Sequence, residues 1–142
     1  MSPRPIVGLV SSFDEGLLLR SCVESLARCC ERVFVLEGPI GEALKPTEEF
    51  PKRLPGNVLV RRGGPWASDA AKRTELVKWA QASRQTAARG RPWDAWAVVL
   101  DGDEILWAAE LLPEYLRRCE DEEEGAMRLR LVEAGDDVVV YE

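Results

Sequence analysis

An α/β fold, with a mostly parallel open sheet carrying helices on both faces, is what three observations predict. Short apolar runs rich in Val and Leu recur at 5–10, 32–36, 57–60 and 93–100. Runs of that length, bounded by Gly, Pro and acids, suit strands buried on both faces. Between them lie stretches with helical spacing, and the strand–helix–strand order is the crossover that parallel pairing requires. Finally, 142 residues with 46% apolar and 31% charged content match one globular domain spanning 1–142.

Taken in order, Pro5 to Val10 is the first strand, and Ser11-Ser12-Phe13-Asp14-Glu15-Gly16 breaks it. Asp14 suits an N-cap, because its carboxylate can accept from the free N–H groups of a first helical turn. The helix then runs to about Glu31, with Leu18, Cys22, Leu26 and Cys29 as its apolar stripe and Arg20, Glu24 and Arg28 outside. Arg32 to Leu36 is the second strand, ending at Glu37-Gly38-Pro39. Residues 38–56 hold four prolines and no periodicity, so a long surface loop is expected, with a helical turn at Thr47–Phe50. Asn57 to Val60 is the third strand, closed by Arg61 to Trp66.

Ser68 or Asp69 caps a second helix, which runs to about Ala88. Its first turns carry Lys72 and Arg73, where the helix dipole disfavours cations, so either solvent or a nearby negative group must offset the cost. Gly90-Arg91-Pro92 ends it, and Trp93 to Leu100 is the fourth strand. The acids Asp101, Asp103 and Glu104 stand at that strand's end. A third helix covers Ala108 to about Glu120, with Pro113 marking its true first turn. Glu120 to Glu124 is a solvated acidic run. Met127–Val132 and Val138–Tyr141 are two further strands around a Gly135-Asp136-Asp137 turn.

Composition removes several chemistries. The chain has no histidine, so imidazole bases, His zinc ligands and the usual Ser-His-Asp or Cys-His nucleophiles are absent. Net charge is −6 and the pI is near 4.9, which argues against nucleic acid as a partner. The four cysteines, Cys22, Cys29, Cys30 and Cys119, contain no C-x-x-C and are expected as small core residues in a reducing, cytoplasmic setting. No apolar run reaches the length of a membrane span. Trp79, Trp96 and Trp107 are expected in the core, while Trp66, in a Gly-Gly-Pro-Trp loop, is a candidate ligand cover.

In open parallel sheets ligands bind outside the carboxyl ends of the strands. Ser12 to Glu15, Glu37, Arg61 to Trp66 and Asp101 to Glu104 all fall there, with Lys72 and Arg73 beside them. Carboxylates next to cations suit a metal-bridged diphosphate, since Mg²⁺ needs only one or two protein carboxylates when phosphate supplies other oxygens. No G-x-G-x-x-G or Walker loop is present.

These segments resemble, in order, the nucleotide-sugar-binding half of family 2 glycosyltransferases of the GT-A fold. Val7 to Glu15 resembles the first strand ending in an Asn-Glu or Asp-Glu pair, and Val33 to Glu37 the second strand with its terminal acid. Ser68 to Thr74 resembles a segment often written Ala-x-x-Arg-Asn. Trp96 to Leu106 resembles the Leu-Asp-Ala-Asp-Glu stretch, followed by Glu110-Leu-Leu-Pro113.

The resemblance implies a metal-dependent transferase, of hexosyltransferase type, using a UDP- or GDP-linked sugar and an acceptor of unknown class. By it, Ser12 and Glu15 would line the base and ribose pocket, Glu37 would contact uracil or ribose, and Lys72 and Arg73 would approach the diphosphate. Asp101 would contact ribose or the metal's waters, and Asp103 would ligate Mn²⁺ or Mg²⁺ acting as a Lewis acid. Glu37 departs from the family's usual Asp and Thr74 from its usual Asn. The resemblance stops with the donor half, so the acceptor site and catalytic base would come from a further segment or a partner chain. Two rival readings are a non-catalytic GT-A-like binding module and a Toprim-like Mg²⁺ phosphodiester enzyme, the latter also built on a strand-end Glu and a D-x-D. A phosphatase of the haloacid dehalogenase type shares the D-x-D but opens on its nucleophile strand.

Overall fold

Val7, Leu9, Phe34 and Leu36 are buried on one face of the sheet, and Ile6, Val10, Val33 and Val35 on the other. Side chains alternate across a strand, so two covered faces need apolar residues at every position. The sequence supplies this in β1 (Ile6–Ser12) and β2 (Arg32–Glu37). A computed structural model describes residues 4–87 and 95–121. Among these, β3 (Val58–Arg62) and β4 (Trp96–Asp101) complete a four-stranded, all-parallel sheet in the order β3-β2-β1-β4. The α/β class and parallel sheet expected from the sequence are therefore present. The expected strands at Met127–Val132 and Val138–Tyr141 lie outside the described residues, as do the 88–94 segment and most of the acidic run.

Helix α1 (Leu17–Ala27) and helix α3 (Leu112–Asp121, entered through a 3₁₀ turn at Ala109–Leu111) cover the Val10 face. Helix α2 (Asp69–Ala87) covers the Leu9 face through Leu76 and Ala80. Pro113 does sit in the first turn of α3. None of the described helices is long and apolar enough to cross a membrane.

Several expectations are corrected. The buried stripe of α1 is Leu19, Cys22, Val23 and Leu26, one step round from that expected; Leu18 is 53% exposed and Cys29 only half-buried. The reason is the helix start. Gly16, not Asp14, holds the N-cap position, and α1 ends at Ala27 rather than near Glu31. Asn57 takes over the helix end from a distance: its Nδ2 donates to Ala27 O at 3.2 Å and Cys30 O at 3.0 Å. β1 runs on through Ser11 and Ser12, and β3 through Arg61 and Arg62, because both continue pairing with β2. No helical turn forms at 47–50. Trp96 is buried and Trp79 meets Phe34 edge-on at 5.1 Å, but Trp107 is 76% exposed, so it is not a core residue.

Candidate functional site

Chain direction places a crevice at one point of this sheet. From β1 the chain moves outward through β2 to β3, then α2 returns it over the opposite face to β4 on β1's other side. The connections on the two sides of β1 thus diverge, and a crevice opens where they part. Registers align the strand ends there: Ser12 pairs with Glu37, and Ser11 with Asp101.

Two adjoining compartments occupy that edge, sharing Phe13, Glu15 and Gly38. The first, about 310 Å³, is walled by Phe13, Leu19, Leu44 and Phe50 and bears Glu37 and Arg62. The second, about 290 Å³, is lined by Ser12, Glu15, Lys72, Asp101 and Asp103 among others. So Ser12, Glu15, Lys72, Asp101 and Asp103 are brought together, and Glu37 stands in the neighbouring compartment. Arg73 lines neither cavity but reaches the site through Asp101.

Local bonding decides what each side chain can offer. Lys72 is 1% exposed, not solvated. Its Nζ donates to Ser12 O at 2.8 Å and Gly38 O at 2.7 Å, and lies 5.2 Å from the Trp66 ring centre. The negative groups that offset its place in the first turns of α2 are therefore the carbonyls ending β1 and leaving β2. Burial pushes the ammonium pKa down, opposed by Glu37, Asp69, Asp101 and Glu15. Two of its three protons are taken by carbonyls, and the third has no acceptor among the described residues.

Ser68 caps α2 as expected, its Oγ accepting from Ala71 N at 3.0 Å. Arg73 lies half-open. Its Nη2 donates to Asp101 Oδ1 at 3.1 Å, and its Nε is 2.9 Å from Asp69 Oδ2, an ion pair whose N–H does not point at the oxygen. Glu104 turns back: its Oε1 accepts from Asp101 N at 2.7 Å and closes the strand-end turn. Asp103 has no such partner among the described residues and opens on the polar compartment. Burial and the carboxylates of Asp103, Glu37 and Asp101 raise the Glu15 pKa above the usual range.

Two polar atoms at the site are shielded and unpartnered among the described residues. Ser12 Oγ is one, on a residue 2% exposed; Glu37 Oε1 is the other. The second Glu37 oxygen accepts from Asp14 N at 3.1 Å. Unpaired buried acceptors cost about 1–3 kcal/mol each, a cost that a bound donor would remove.

Gly102 explains the D-G-D form of the strand end. A Cβ there would lie 2.7 Å from Ser12 Oγ and 2.9 Å from Glu15 Cγ, so only glycine lets the β4 turn close on β1. Gly38 serves in the same way on the other side, where a Cβ would collide with the Gly63 carbonyl and the Trp66 ring.

Sequence reasoning did not find the apolar walls of the first compartment. Two of them, Leu44 and Phe50, come from the 38–56 loop, which is fastened by Asp14. Its carboxylate accepts from Thr47 N at 2.8 Å, Thr47 Oγ1 at 2.8 Å and Glu48 N at 2.6 Å. Those bonds hold the Asp14 pKa below its usual value. The residue expected as a helix cap is thus a loop clasp, and the proline-rich composition of the loop was its one visible signal. Arg62 stacks on the Phe50 ring at 4.4 Å. Trp66, the expected cover, lines neither compartment; it is a strut over Lys72, with Nε1 donating to Glu75 Oε2 at 2.9 Å.

Of the carboxylates that line the polar compartment, Asp103 and the free oxygen of Asp101 stand together at the end of β4 for a divalent ion. Among the described residues no group of three or more His, Cys, Asp or Glu gathers as a metal cage. The donors therefore fit an ion that takes most of its oxygens from phosphate and water, as Mg²⁺ commonly does, and not an all-protein site. No protein-family model matches the sequence, and no curated protein or solved structure matches it significantly.

Proposed function

We propose that the crevice between β1 and β4 binds a nucleoside-diphosphate sugar, UDP- or GDP-linked, and that the chain acts as the donor-binding part of a metal-dependent glycosyltransferase. The observation that carries this reading is the pairing of the two compartments. One is apolar and offers the unpartnered acceptor Glu37 Oε1; the other is polar and holds Lys72, Asp101 and Asp103, with Arg73 beside it. A nucleotide has the same division, a flat base with N–H donors and an anionic diphosphate.

In this reading the base lies between Phe13 and Phe50 and donates to Glu37. Ser12 and Glu15 face the ribose, and Lys72 and Arg73 face the phosphates. Asp103, with Asp101, would hold Mn²⁺ or Mg²⁺, which when bound supplies Lewis-acid stabilisation to the leaving diphosphate. Lys72 adds a fixed positive charge in a site of low solvent access, where electrostatic stabilisation is strongest. No side chain is assigned as the catalytic base or to the acceptor.

The test is a thermal-shift panel of UDP, GDP and CDP, with and without Mn²⁺, on the native chain and on Asp103→Ala. A ligand at ~100 times its Kd stabilises by about 2.7 kcal/mol, or several degrees for a chain of this size. One nucleotide is expected to give that shift with Mn²⁺, and Asp103→Ala to lose it. No shift from any nucleotide at millimolar concentration would remove the proposal. Release of the nucleoside diphosphate from its sugar separates a transferase from a binding module, which would bind and release nothing.

A further inference from the structure

Cys29 and Cys30 are adjacent in sequence, and their sulfurs lie 3.9 Å apart. They stand where α1 has ended and β2 has not begun, near the amino ends of the strands, since Glu31 N donates to Ile6 O. The crevice opens at the other end of the same strands, about 17 Å of strand away at 3.3 Å per residue. The nucleotide reading makes no use of them.

The turn holds this pair in place. Cys29 N and Cys30 N both donate to Leu26 O, at 3.1 and 2.9 Å, and Asn57 Nδ2 donates to Cys30 O. A disulfide would need the sulfurs to close to about 2.0 Å, against those three bonds. A bridging trivalent arsenic needs far less movement: with thiolate bonds of about 2.3 Å and a pyramidal S–As–S angle of about 100°, the sulfurs close only from 3.9 Å to about 3.5 Å. A linear two-coordinate centre would want the sulfurs about 4.6 Å apart by the same bond length.

We infer that Cys29 and Cys30 form a two-thiol binding site for a soft, three-coordinate thiophilic centre of the trivalent-arsenic kind. Soft thiolate ligands favour soft centres. Cys29 is half-buried and so open to an incoming reagent, while Cys30 is 6% exposed beside it. The two sulfurs share a hydrogen bond that either thiol can donate; ionisation of the more exposed Cys29 makes Cys30 the donor, which holds the Cys29 pKa below that of an ordinary thiol and raises that of Cys30. Cys29 is therefore the attacking sulfur and Cys30 the one that closes the chelate. Cys22 is a poor competitor: it is fully buried, and burial with neighbouring carboxylates pushes its pKa up to about 12.

The reaction is a condensation without redox change. A hydrated organoarsenic(III) oxide, R–As(OH)₂, meets two S–H groups. Two As–O and two S–H bonds break, two As–S bonds form, two waters leave, and arsenic stays trivalent.

Phenylarsine oxide on the full chain tests this. One equivalent is expected to bind, to resist an excess of monothiol, and to be released by a small dithiol; peptide mapping should locate it on the Cys29–Cys30 peptide. Cys29→Ser and Cys30→Ser should each weaken retention ~100-fold or more, the usual scale of lost bivalency. Removal of the adduct by monothiol as readily as by dithiol would overturn the site, and this readout needs no variant. Retention undiminished in both single variants would overturn it as well.

Discussion

Helices α1 and α2 make the same kind of crossover on opposite faces of one sheet, yet they bury different chemistry. α1 buries Leu19, Cys22, Val23 and Leu26 against the Val10 face, and its one buried polar side chain there, Ser25, is satisfied by Cys22 O and Leu106 N. α2 buries Leu76 and Ala80 with Lys72, whose ammonium bonds to the ends of β1 and the turn after β2. One helix closes a core, and the other also brings charge to the strand ends. Apart from Leu19, which also walls the apolar compartment, stability and ligand binding should therefore separate along α1 and coincide at Lys72 of α2.

The largest expected effect breaks the α1 side. Leu26→Ala removes a fully buried side chain that packs at Gly8, and should cost about 2–5 kcal/mol. Chemical denaturation measures the loss. Nucleotide affinity per folded molecule should stay unchanged; a parallel loss of affinity would end the division between the helices.

Next comes Lys72→Met, which keeps the volume but leaves the Gly38 carbonyl without its donor, while Ser12 O keeps its bond from Gly38 N at 3.0 Å. At about 1–3 kcal/mol for an unsatisfied buried acceptor, a stability loss of about 2 kcal/mol is expected, with loss of nucleotide binding in the same variant. Full binding by a destabilised Lys72→Met would make Lys72 a structural strut alone.

The smallest effect concerns Glu15, and its sign is the informative part. Its folded pKa is raised, so the folded state holds the proton more tightly than the unfolded state. Stability then falls as pH climbs from the usual glutamate value through the raised one, and the penalty is complete above it. Glu15→Gln should raise the melting temperature at pH 7 by about 2 °C or less, because the side chain is only partly buried and solvent screens its neighbours. Below the usual glutamate pKa the variant and native chain should melt alike. A lower melting temperature at pH 7 would mean the carboxylate is stabilising.

Much of the sheet was legible because two-sided burial leaves a plain mark. Val33-Phe34-Val35-Leu36 has no polar position, and only a strand covered on both faces explains that. The grouping of Ser12, Glu15, Lys72, Asp101 and Asp103 was legible for a related reason: parallel strands bring all their carboxyl ends to one edge. What failed were decisions of local geometry. Asp14 fits an N-cap by residue type, but a left-handed φ of 60° turns it toward Thr47 instead. Leu18 and Leu19 are alike in composition, and only the helix start chooses between them. Lys72 and Arg73 are both cations in sequence; one helical step buries the first and leaves the second half-open. The 38–56 loop carried no periodicity, so nothing showed that Leu44 and Phe50 would wall a cavity.

The strand order also bears on how the chain comes off the ribosome. β1 lies between β2 and β4, but β2 follows it at once while β4 begins some 90 positions later. At synthesis rates of about 5–20 residues per second, one side of the most buried strand waits on the order of ten seconds for its partner. During that interval Ile6–Ser12 presents a bare apolar edge of the kind that templates aggregation. Slowed translation between residues 37 and 96 should lengthen that exposure and lower the soluble yield, with no change in the finished protein.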